Sequence, residues 1–395
     1  MQSNKLRMAI RATAAATIFG LASQAGAVDF KAGDYDMSIY GYARLNATYD
    51  IDEDVSTGRG TRSVDYSKIN TGDAENDEAT GHFGADAVQS RLGFRVMTPQ
   101  GVKINLEGDF RGNSGTSNGN IRIRHAYGVY NGVLLGRTWS NSTSFTANTS
   151  QLDFDGVPGA NGLQSRVSQA RYTTGGLSVS LEQPLGSLST ADGPDDGTAP
   201  DSVSRKDSMP VATIRLEQGA GGLKYTAGAL VRQIGYDTGT ADDSEIGFAA
   251  FLGAKMSVTD MVSIQGSVNY ADGATAYLYR SGNNFAAIDA YVDANGDVET
   301  VSGYSGSLGA SFDLGGGRSI NAVYGMSDTD LEDAFNAGAV AATDNEVNSM
   351  IAVNYQWSPV ENVNMGVQYG YHEAEDVNGD DGDASRLHFA AQYNF

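Results

Sequence analysis

The sequence has no cysteine, only 7 prolines and no long apolar run beyond its N-terminus. Without cysteine the fold cannot be stabilised by disulfides. No later stretch approaches the roughly 18 apolar residues that a membrane-spanning helix needs. These absences exclude a disulfide-stapled domain and a helical membrane protein. The low mean hydropathy still fits either a soluble protein or a membrane barrel whose lumen is polar.

Positive charge is also scarce, because 26 Lys and Arg face 48 Asp and Glu, for a net charge of −22. Such a balance argues against nucleic-acid binding. Histidine occurs four times, at His82, His125, His372 and His388. None has a nucleophile or a metal-ligand spacing around it, so catalysis finds little support in the sequence. A barrel enzyme that uses a serine and a histidine distant in sequence stays an alternative.

The N-terminus has the features of an export signal. Lys5, Arg7 and Arg11 form a basic region, residues 12–22 an apolar one, and residues 25–27 (Ala-Gly-Ala) a small-residue cleavage site. We therefore expect residues 1–27 to be a signal peptide and residues 28–395 to be one mature domain. Removal of three cations and no acid would lower the net charge from −22 to about −25.

The last eleven residues read as a strand with one apolar and one polar face. Side chains of a strand alternate between faces. One face would carry Leu387, Phe389, Ala391, Tyr393 and Phe395, and the other Arg386, His388, Ala390, Gln392 and Asn394. A soluble sheet could use the same alternation. The pattern recurs along the whole chain in segments of about ten residues, however, which is typical of transmembrane barrel strands.

Sixteen such segments can be identified, and the connections between them alternate short and long. The predicted strands are 37–50, 89–97, 102–111, 121–130, 133–139, 165–173, 177–183, 210–217, 223–234, 245–258, 261–271, 303–314, 318–326, 345–357, 362–371 and 385–395. A β-sandwich has no reason for this alternation. The sequence predicts an all-β, antiparallel transmembrane barrel of about 16 strands with short periplasmic turns, long outer loops and an aqueous lumen.

The fifth predicted strand has an irregular pattern. Arg137 shares its parity with the apolar residues Val133 and Leu135. We expect a β-bulge there, which would turn Arg137 toward the polar face. The preceding Asn131-Gly132 pair is a strong signal for a two-residue hairpin turn.

The cations cluster in one part of the chain. Nineteen of those after the leader lie within residues 28–232, many on the polar faces of strands. We predict a basic wall lining the pore, made of Arg44, Arg91, Arg95, Lys103, Arg111, Arg122, Arg124, Arg137 and Arg171, with Arg215, Lys224 and Arg232 further along. The alternative is that these cations pair with Glu107, Asp109 and Glu217 and only stabilise the wall.

The connection over residues 140–164 is long and polar, and it carries Asp153 and Asp155 on either side of Phe154. If the barrel is a diffusion channel, this third outer loop would fold inward and form a constriction. Acids on that loop facing wall arginines would create a transverse electric field. The alternative is an ordinary solvated loop.

Two acidic segments are similar to the start of a calcium loop. The first offers Asp293, Asn295, Asp297 and Glu299, and the second spans residues 376–380. Neither has the glycine at position six or a suitable glutamate at position twelve. Flexible outer loops are the favoured interpretation, with weak Ca²⁺ binding as the alternative. No other cofactor is indicated.

Several stretches resemble the DcaP-like branch of trimeric porins, and the aromatic ending at Tyr393 and Phe395 resembles the assembly signal of Gram-negative outer-membrane barrels. The matching stretches are residues 40–50 (YGYARLNATYD), 90–94 (SRLGF), 106–110 (LEGDF), 121–127 (IRIRHAY) and 134–139 (LLGRTW). The resemblance implies a homotrimer that is inserted by the outer-membrane assembly machinery among lipid and lipopolysaccharide. It also implies passage of small anions, with dicarboxylates as the suggested solutes.

One feature of that family has no counterpart in this sequence. Some members carry a coiled coil between leader and barrel, whereas only residues 28–36 precede the first predicted strand here, without heptads. The leading hypothesis is a passive channel for small hydrophilic, anionic solutes in the outer membrane. A structural or adhesive barrel with a closed lumen is the second hypothesis, and a barrel enzyme the third.

Overall fold

The computed structural model describes residues 27–57, 60–75, 79–112, 119–190, 205–283 and 285–395. The predicted leader, apart from its last residue, lies outside these ranges. Within them, no helix combines the length and the apolar character needed to cross a membrane.

Over the described ranges, sixteen antiparallel strands close into one barrel. They are β1 (Tyr35–Asp50), β2 (Arg91–Met97), β3 (Lys103–Asp109), β4 (Arg122–Tyr130), β5 (Val133–Trp139), β6 (Arg166–Thr174), β7 (Leu177–Glu182), β8 (Val211–Ala220), β9 (Leu223–Asp237), β10 (Asp242–Ser257), β11 (Val262–Asp272), β12 (Ser302–Gly315), β13 (Arg318–Thr329), β14 (Asn345–Trp357), β15 (Val363–Asp376) and β16 (Asp381–Asn394). Each predicted strand has its counterpart, which confirms the predicted fold class.

The barrel closes where β1 pairs with β2 on one side and with β16 on the other. The segment His82–Asp86 continues β2 along the outer half of β1, and Val28–Ala32 forms a hairpin with the start of β1. Phe395 extends the closure, because its N–H donates to the Gly41 carbonyl at 3.0 Å and its carbonyl accepts from the Gly41 N–H at 2.9 Å. Closure thus pairs both sides of β1, as a strand in an apolar environment requires.

The strands turn their apolar side outward, the reverse of a soluble protein. In β16, Leu387 and Tyr393 are 50% and 57% exposed, whereas Arg386 and His388 are buried on the inner side. The same alternation places Asn105, Gln265 and Asn354 inside. An apolar outer surface and a polar interior are the arrangement that a membrane barrel requires.

Short turns alternate with long loops as predicted. Asn131 and Gly132 have φ values of 48° and 84°, as a type I′ hairpin turn demands. The barrel ends with the short turns are assigned to the periplasm and the loops to the outside. We label three of the loops L1 (residues 51–81), L3 (residues 140–165) and L6 (residues 273–301).

Smaller elements lie within the loops. In the described residues these are the strands Ser56–Thr57, Gly60–Val64, Leu188–Thr190, Ala290–Val292 and Val298–Thr300, the 3₁₀ turns Tyr66–Lys68, Gly72–Ala74 and Thr275–Tyr277, and the helix α1 (Glu332–Asn336). Leu188–Thr190, Ala290–Val292 and Val298–Thr300 form a small sheet that joins L6 to the loop after β7.

The β-bulge lies in β4 and not in β5. The pairing of β3 with β4 runs from Glu107↔His125 to Gly108↔Ile123, which leaves Arg124 as the extra residue. The pairings of β5 with both of its neighbours are regular. Because a bulge re-aims side chains, Arg124 and His125 both turn inward, next to Arg122. The predicted bulge in the fifth strand was therefore misplaced by one strand.

L1, L3 and L6 fold into the barrel and are fixed there by apolar contacts. Val55, Val64 and Tyr66 of L1 pack on Ala374 and Ala384 of the wall. A second cluster packs L3 and L6 on β6 and β8–β11, and comprises Leu163, Val167, Val211, Leu230, Ala249, Ala271, Ala274, Ala276, Tyr277 and Leu278. Burial of apolar surface thus holds the loops inside the polar barrel. The sequence analysis predicted this position only for L3.

Candidate functional site

L3 crosses the lumen from β5 to the opposite wall. The N–H of Leu152 donates to Gln368 Oε1 at 2.8 Å, and its carbonyl accepts from Arg44 Nη2 at 2.9 Å. Further along the loop, the Gly159 carbonyl accepts from Ser267 Oγ at 2.7 Å and from Asn269 Nδ2 at 3.0 Å. These contacts reach β1, β11 and β15, so the loop extends from β5 to strands on other sides of the lumen.

Wall glycines let L3 approach the strands so closely. A Cβ at Gly325 of β13 would overlap the Pro158 carbonyl oxygen, and one at Gly366 of β15 would lie 2.8 Å from Leu152 Cδ1. A Cβ at Gly309 of β12 would overlap Thr149 Oγ1. Glycine is therefore required beneath L3 because the loop occupies the space of a side chain.

The L3 carboxylates contact arginines of the other inserted loops. Asp155 Oδ1 lies 3.1 Å from Nη2 of Arg62 in L1, and Asp153 Oδ2 lies 3.7 Å from Nη1 of Arg280 in L6. Ser63 Oγ also donates to Asp155 at 2.5 Å. The predicted transverse field between these acids and the wall arginines is thus not the arrangement found. These two L3 carboxylates lie beside arginines of the other inserted loops.

The pKa values of the two L3 carboxyl groups are shifted in opposite directions. Burial and the nearby Asp155 raise the pKa of Asp153, and the attraction of Arg280 does not fully offset this. Burial also acts to raise the pKa of Asp155, but Arg62, Arg111 and Arg280 outweigh it and hold this pKa well below the usual range. Burial lowers the pKa of Arg62 to about 10, so the guanidinium remains charged at neutral pH.

In the wall beside L3, three arginines contact two carboxylates. Arg124 donates through Nε to Glu107 at 2.7 Å and through Nη1 to Asp109 at 3.0 Å. Arg122 makes a two-point contact with Asp109 at 2.7 and 2.9 Å. Arg91 Nη1 lies 3.8 Å from Glu107. Pairing with wall acids, the alternative considered above, therefore applies to these three residues, but it leaves one positive charge in excess.

Phe154 of L3 faces this cluster. The guanidinium carbons of Arg62, Arg91 and Arg124 lie 4.2, 4.9 and 5.4 Å from its ring centroid. An aromatic face attracts cations at such distances. The ring thus gathers three guanidinium groups at one place in the lumen. Some of their N–H donors, including Arg91 Nη2 and Arg124 Nη2, are buried and make no hydrogen bond to the described residues.

Other inward arginines contact only neutral groups. Arg44 donates to Asn46, Gln392 and the Leu152 carbonyl. Arg171 donates to Gln169 and to the Trp139 carbonyl, and Arg166 lies 4.2 Å over the Trp139 ring. Among the described residues, none of these three arginines has a carboxylate oxygen within 4.0 Å. Their charges are therefore not cancelled locally.

The remaining predicted wall residues occupy several places. Arg95 stacks on Tyr40 at 3.9 Å, Lys103 starts β3 at its periplasmic end, and Arg111 donates to Thr57 of L1 at 3.3 Å. Arg215 donates to the Thr143 carbonyl of L3. Arg232 binds Asp289 of L6 at 2.8 Å. Several members of the predicted wall thus also hold the inserted loops.

Arg137 is not part of the lumen wall. It alternates with Gly136 and Thr138, and Thr138 Oγ1 contacts the inward His125 at 2.9 Å. Because β5 is regular, Arg137 shares the outer face with Leu135, which is 60% exposed. The prediction for Arg137 was therefore wrong, because no bulge reverses its direction.

Sequence reasoning missed three arginines of the site. Arg62 and Arg280 lie on loops that have no strand periodicity, and Arg166 stands at the beginning of β6. The stretch 271–279 of L6 (ADGATAYLY) is rich in small and apolar residues, but it has no regular period that would mark it as buried. Strand alternation alone carries no information about where loop side chains point.

The candidate calcium residues form an ordinary turn. Asp293 Oδ1 accepts from the N–H groups of Asn295 and Asp297 at 2.8 and 2.9 Å. Across the ranges that the structure describes, no group of three or more His, Cys, Asp or Glu side chains is arranged to hold a metal ion.

The four histidines contact groups other than serine in the described part of the chain. His82 contacts the Ala79 carbonyl, His125 Thr138, His372 Tyr66, and His388 Asn46. These contacts provide no serine–histidine pair for nucleophilic catalysis.

The comparisons agree with this architecture. The model of the DcaP outer membrane protein family matches residues 24–395. The outer membrane channel DcaP of Acinetobacter baumannii has a TM-score of 0.75 at 27% identity, over 93% of this chain and 99% of that one. No curated protein sequence matches.

Two more distant structures share the fold. The anion-selective porin from Comamonas acidovorans has a TM-score of 0.56 at 14% identity, over 91% of this chain and 100% of that one. OmpT of Vibrio cholerae has a TM-score of 0.54 at 12% identity, over 93% of this chain and 100% of that one. With a family match over nearly the whole chain, and with a closed barrel of 16 strands, the protein is an outer-membrane porin that belongs to the DcaP outer membrane protein family.

Proposed function

We propose that this porin is a passive diffusion channel that prefers small hydrophilic anions, including dicarboxylates, and that it is not an enzyme. The observation that carries the proposal is a set of three arginines, Arg44, Arg166 and Arg171, that contact no carboxylate among the described residues. They accompany a cluster in which three arginines share two acids. A small anion that passes L3 would meet these guanidinium groups at short range.

The short distance between an ion and these arginines matters because the protein as a whole has a net charge of −22. The Debye length is about 8 Å at physiological salt, so acids on the outer loops act weakly on an ion deep in the lumen. A charge within a few ångströms, beside low-dielectric walls, acts much more strongly. The guanidinium fork also matches the geometry of a carboxylate. A dicarboxylate suits this lumen because its two carboxylate groups can bind at separate arginines.

A barrel with a closed lumen is the second candidate, and one observation favours it. L1, L3 and L6 all enter the barrel and pack by apolar contacts. Conductance of the purified protein in a planar bilayer separates the two functions. Discrete ion-conducting steps are expected of the channel, and an electrically silent, correctly folded barrel would support the structural role.

The resemblance to the family also supports assembly and partners as proposals. The protein would form a homotrimer among outer-membrane lipid and lipopolysaccharide, with the aromatic end at Tyr393 and Phe395 read by the assembly machinery. The apolar outer face of the barrel suits lipid contact. Native mass spectrometry of the detergent-extracted protein tests the trimer, and a monomer under mild extraction would contradict it.

A further inference from the structure

Arg280 lies in L6 where the three inserted loops meet. Its side chain is fully buried, with 0% of its surface exposed. Its φ is 64°, in the left-handed region that residues other than glycine seldom occupy. A buried cation in this backbone conformation calls for specific contacts that keep it there.

The side chain of Arg280 joins L1 to L3. Nη2 donates to the Val64 carbonyl of L1 at 2.6 Å, and Nη1 donates to the Gly156 carbonyl of L3 at 3.3 Å. Nη1 also lies 3.7 Å from Asp153 of L3. The guanidinium carbon lies 4.8 Å from the ring centroid of Tyr66, also in L1. One side chain therefore contacts two loops that are far apart in sequence.

The main chain of Arg280 is attached to the wall. Its carbonyl accepts from Ser327 Oγ of β13 at 3.0 Å and from Asn348 Nδ2 of β14 at 2.9 Å. The carbonyl of the preceding residue, Tyr279, accepts from the Gly159 N–H of L3 at 3.1 Å. L1 and L3 also contact each other through Arg62 and Asp155. That pair links loop to loop, whereas Arg280 links both loops to the barrel.

We propose that Arg280 is a positioning residue that holds L1 and L3 across the lumen and thereby sets the size limit of the pore. The proposal rests on the proposed channel function. A guanidinium is suited to this task because its fixed fork of donors can serve two carbonyl groups at once. A lysine at this position would keep the charge near Asp153 but would lose the fork.

The main test variant is Arg280→Asn. Asparagine tolerates a positive φ better than most residues, so the backbone can stay in place while the long side chain is lost. Arg280→Lys keeps the charge. The matched control is Arg232→Asn, since Arg232 is also buried (2% exposed) and binds Asp289 of L6 but has no hydrogen bond to L1 or L3 among the described residues.

Two measurements test the proposal, and both use the full-length protein extracted from outer membranes. Single-channel conductance and the uptake of neutral sugars of increasing size report pore width. We expect roughly a twofold rise in conductance and a larger sugar cut-off for Arg280→Asn, with smaller changes for Arg280→Lys and for Arg232→Asn, because Arg232 attaches L6 alone.

Amide hydrogen exchange reports loop attachment independently of conduction. In Arg280→Asn we expect roughly tenfold faster exchange in both residues 60–66 and residues 153–163, with the barrel strands unchanged. Arg232→Asn should speed exchange in L6 alone. Unchanged exchange in L1 and L3 would overturn the inference even if the channel conducts. A silent wild type with faster loop exchange in the variant would overturn the channel function but not the positioning role.

If Arg280→Asn does not assemble, Arg280→Lys decides by the same two measurements. Wild-type conductance together with wild-type exchange in L1 and L3 for Arg280→Lys would contradict the proposal, since it would show that the two carbonyl contacts of the fork are not needed.

Discussion

Asp155 in L3 is bound by Arg62 in L1, with 3.1 Å between Oδ1 and Nη2, and both side chains are buried. The acid that the sequence placed opposite the wall arginines is thus already neutralised by another loop. The charges of Arg44 and Arg171 on the wall have no such partner among the described residues. Among the described residues, Arg44 and Arg171 on the wall thus contact no carboxylate, whereas the two L3 carboxylates lie beside arginines of other loops.

The Asp155–Arg62 contact should stabilise the protein at neutral pH. Asp155→Asn should lower the free energy of unfolding by about 3 kcal/mol, because it leaves Arg62 buried without its counter-charge. The pKa of Asp155 is lowered in the folded state, so its contribution is present above the ordinary aspartate pKa and is lost as pH falls toward the folded value. The difference from wild type should be constant down to about pH 5 and shrink below about pH 4.

Asp153→Asn is the matched control for that experiment. Burial raises the pKa of Asp153, so its charged form is disfavoured in the folded protein. Its replacement should cost much less stability at neutral pH than Asp155→Asn. Urea titrations at several pH values give both free energies. Equal losses for the two variants would contradict the assignment of Asp155 as the principal loop contact.

Arg44 should contribute to anion preference directly. Arg44→Gln removes a charge that faces the Leu152 carbonyl and neutral amides, so no buried acid is left without its partner. We expect the anion-over-cation permeability ratio to fall roughly threefold. Arg137→Gln is the control, because it removes the same charge from the outer face of β5. If both variants change the ratio equally, the effect comes from total charge and not from the lumen.

Gly325 should be needed for the position of L3. A Cβ at this site would overlap the Pro158 carbonyl oxygen and lie 2.8 Å from Val157 Cβ, so Gly325→Ala must push the loop away from β13. We expect a change in single-channel conductance with no loss of the barrel. Gly128→Ala on β4 is the control, since its Cβ would meet only Lys103 O at 3.8 Å. Identical conductance in the two variants would show that L3 does not line the conducting path.

Phe395 should matter for assembly more than for conduction. It exchanges two main-chain hydrogen bonds with Gly41 at the seam between β1 and β16, and so helps to close the barrel. Deletion of Phe395 should lower the amount of protein in the outer membrane, while molecules that do assemble should keep their conductance. Quantitative immunoblots of membrane fractions measure the amount. Normal abundance after deletion would refute the prediction.

The barrel was predictable from the sequence because the membrane and the polar lumen impose a strict period of two on each strand. Val133–Trp139 and Asn345–Trp357 were predicted with their bounds unchanged. The bulge was not, because a single extra residue such as Arg124 alters parity only where the partner strand is known. This is also why Arg137 was assigned to the wrong face.

Loop insertion was only partly predictable. The position of L3 followed from its order among the loops, whereas Val64 and Tyr66 of L1 and Leu278 of L6 have no periodic pattern that marks them as buried. Their burial depends on packing against strands that are distant along the chain, such as that of Tyr66 in one cluster with Ala374. The partners of Asp153 and Asp155 could not be predicted for the same reason.

The reversal potential of single channels in a salt gradient tests the central claim most directly, because its sign reports which ion carries the current. In a gradient of potassium chloride, the basic wall predicts that the wild-type reversal potential has the sign expected when chloride is the more permeant ion. This is expected despite the protein's net charge of −22. A reversal potential of the sign for potassium would contradict the account, since the acidic loops would then govern selectivity and the lumen arginines would be structural.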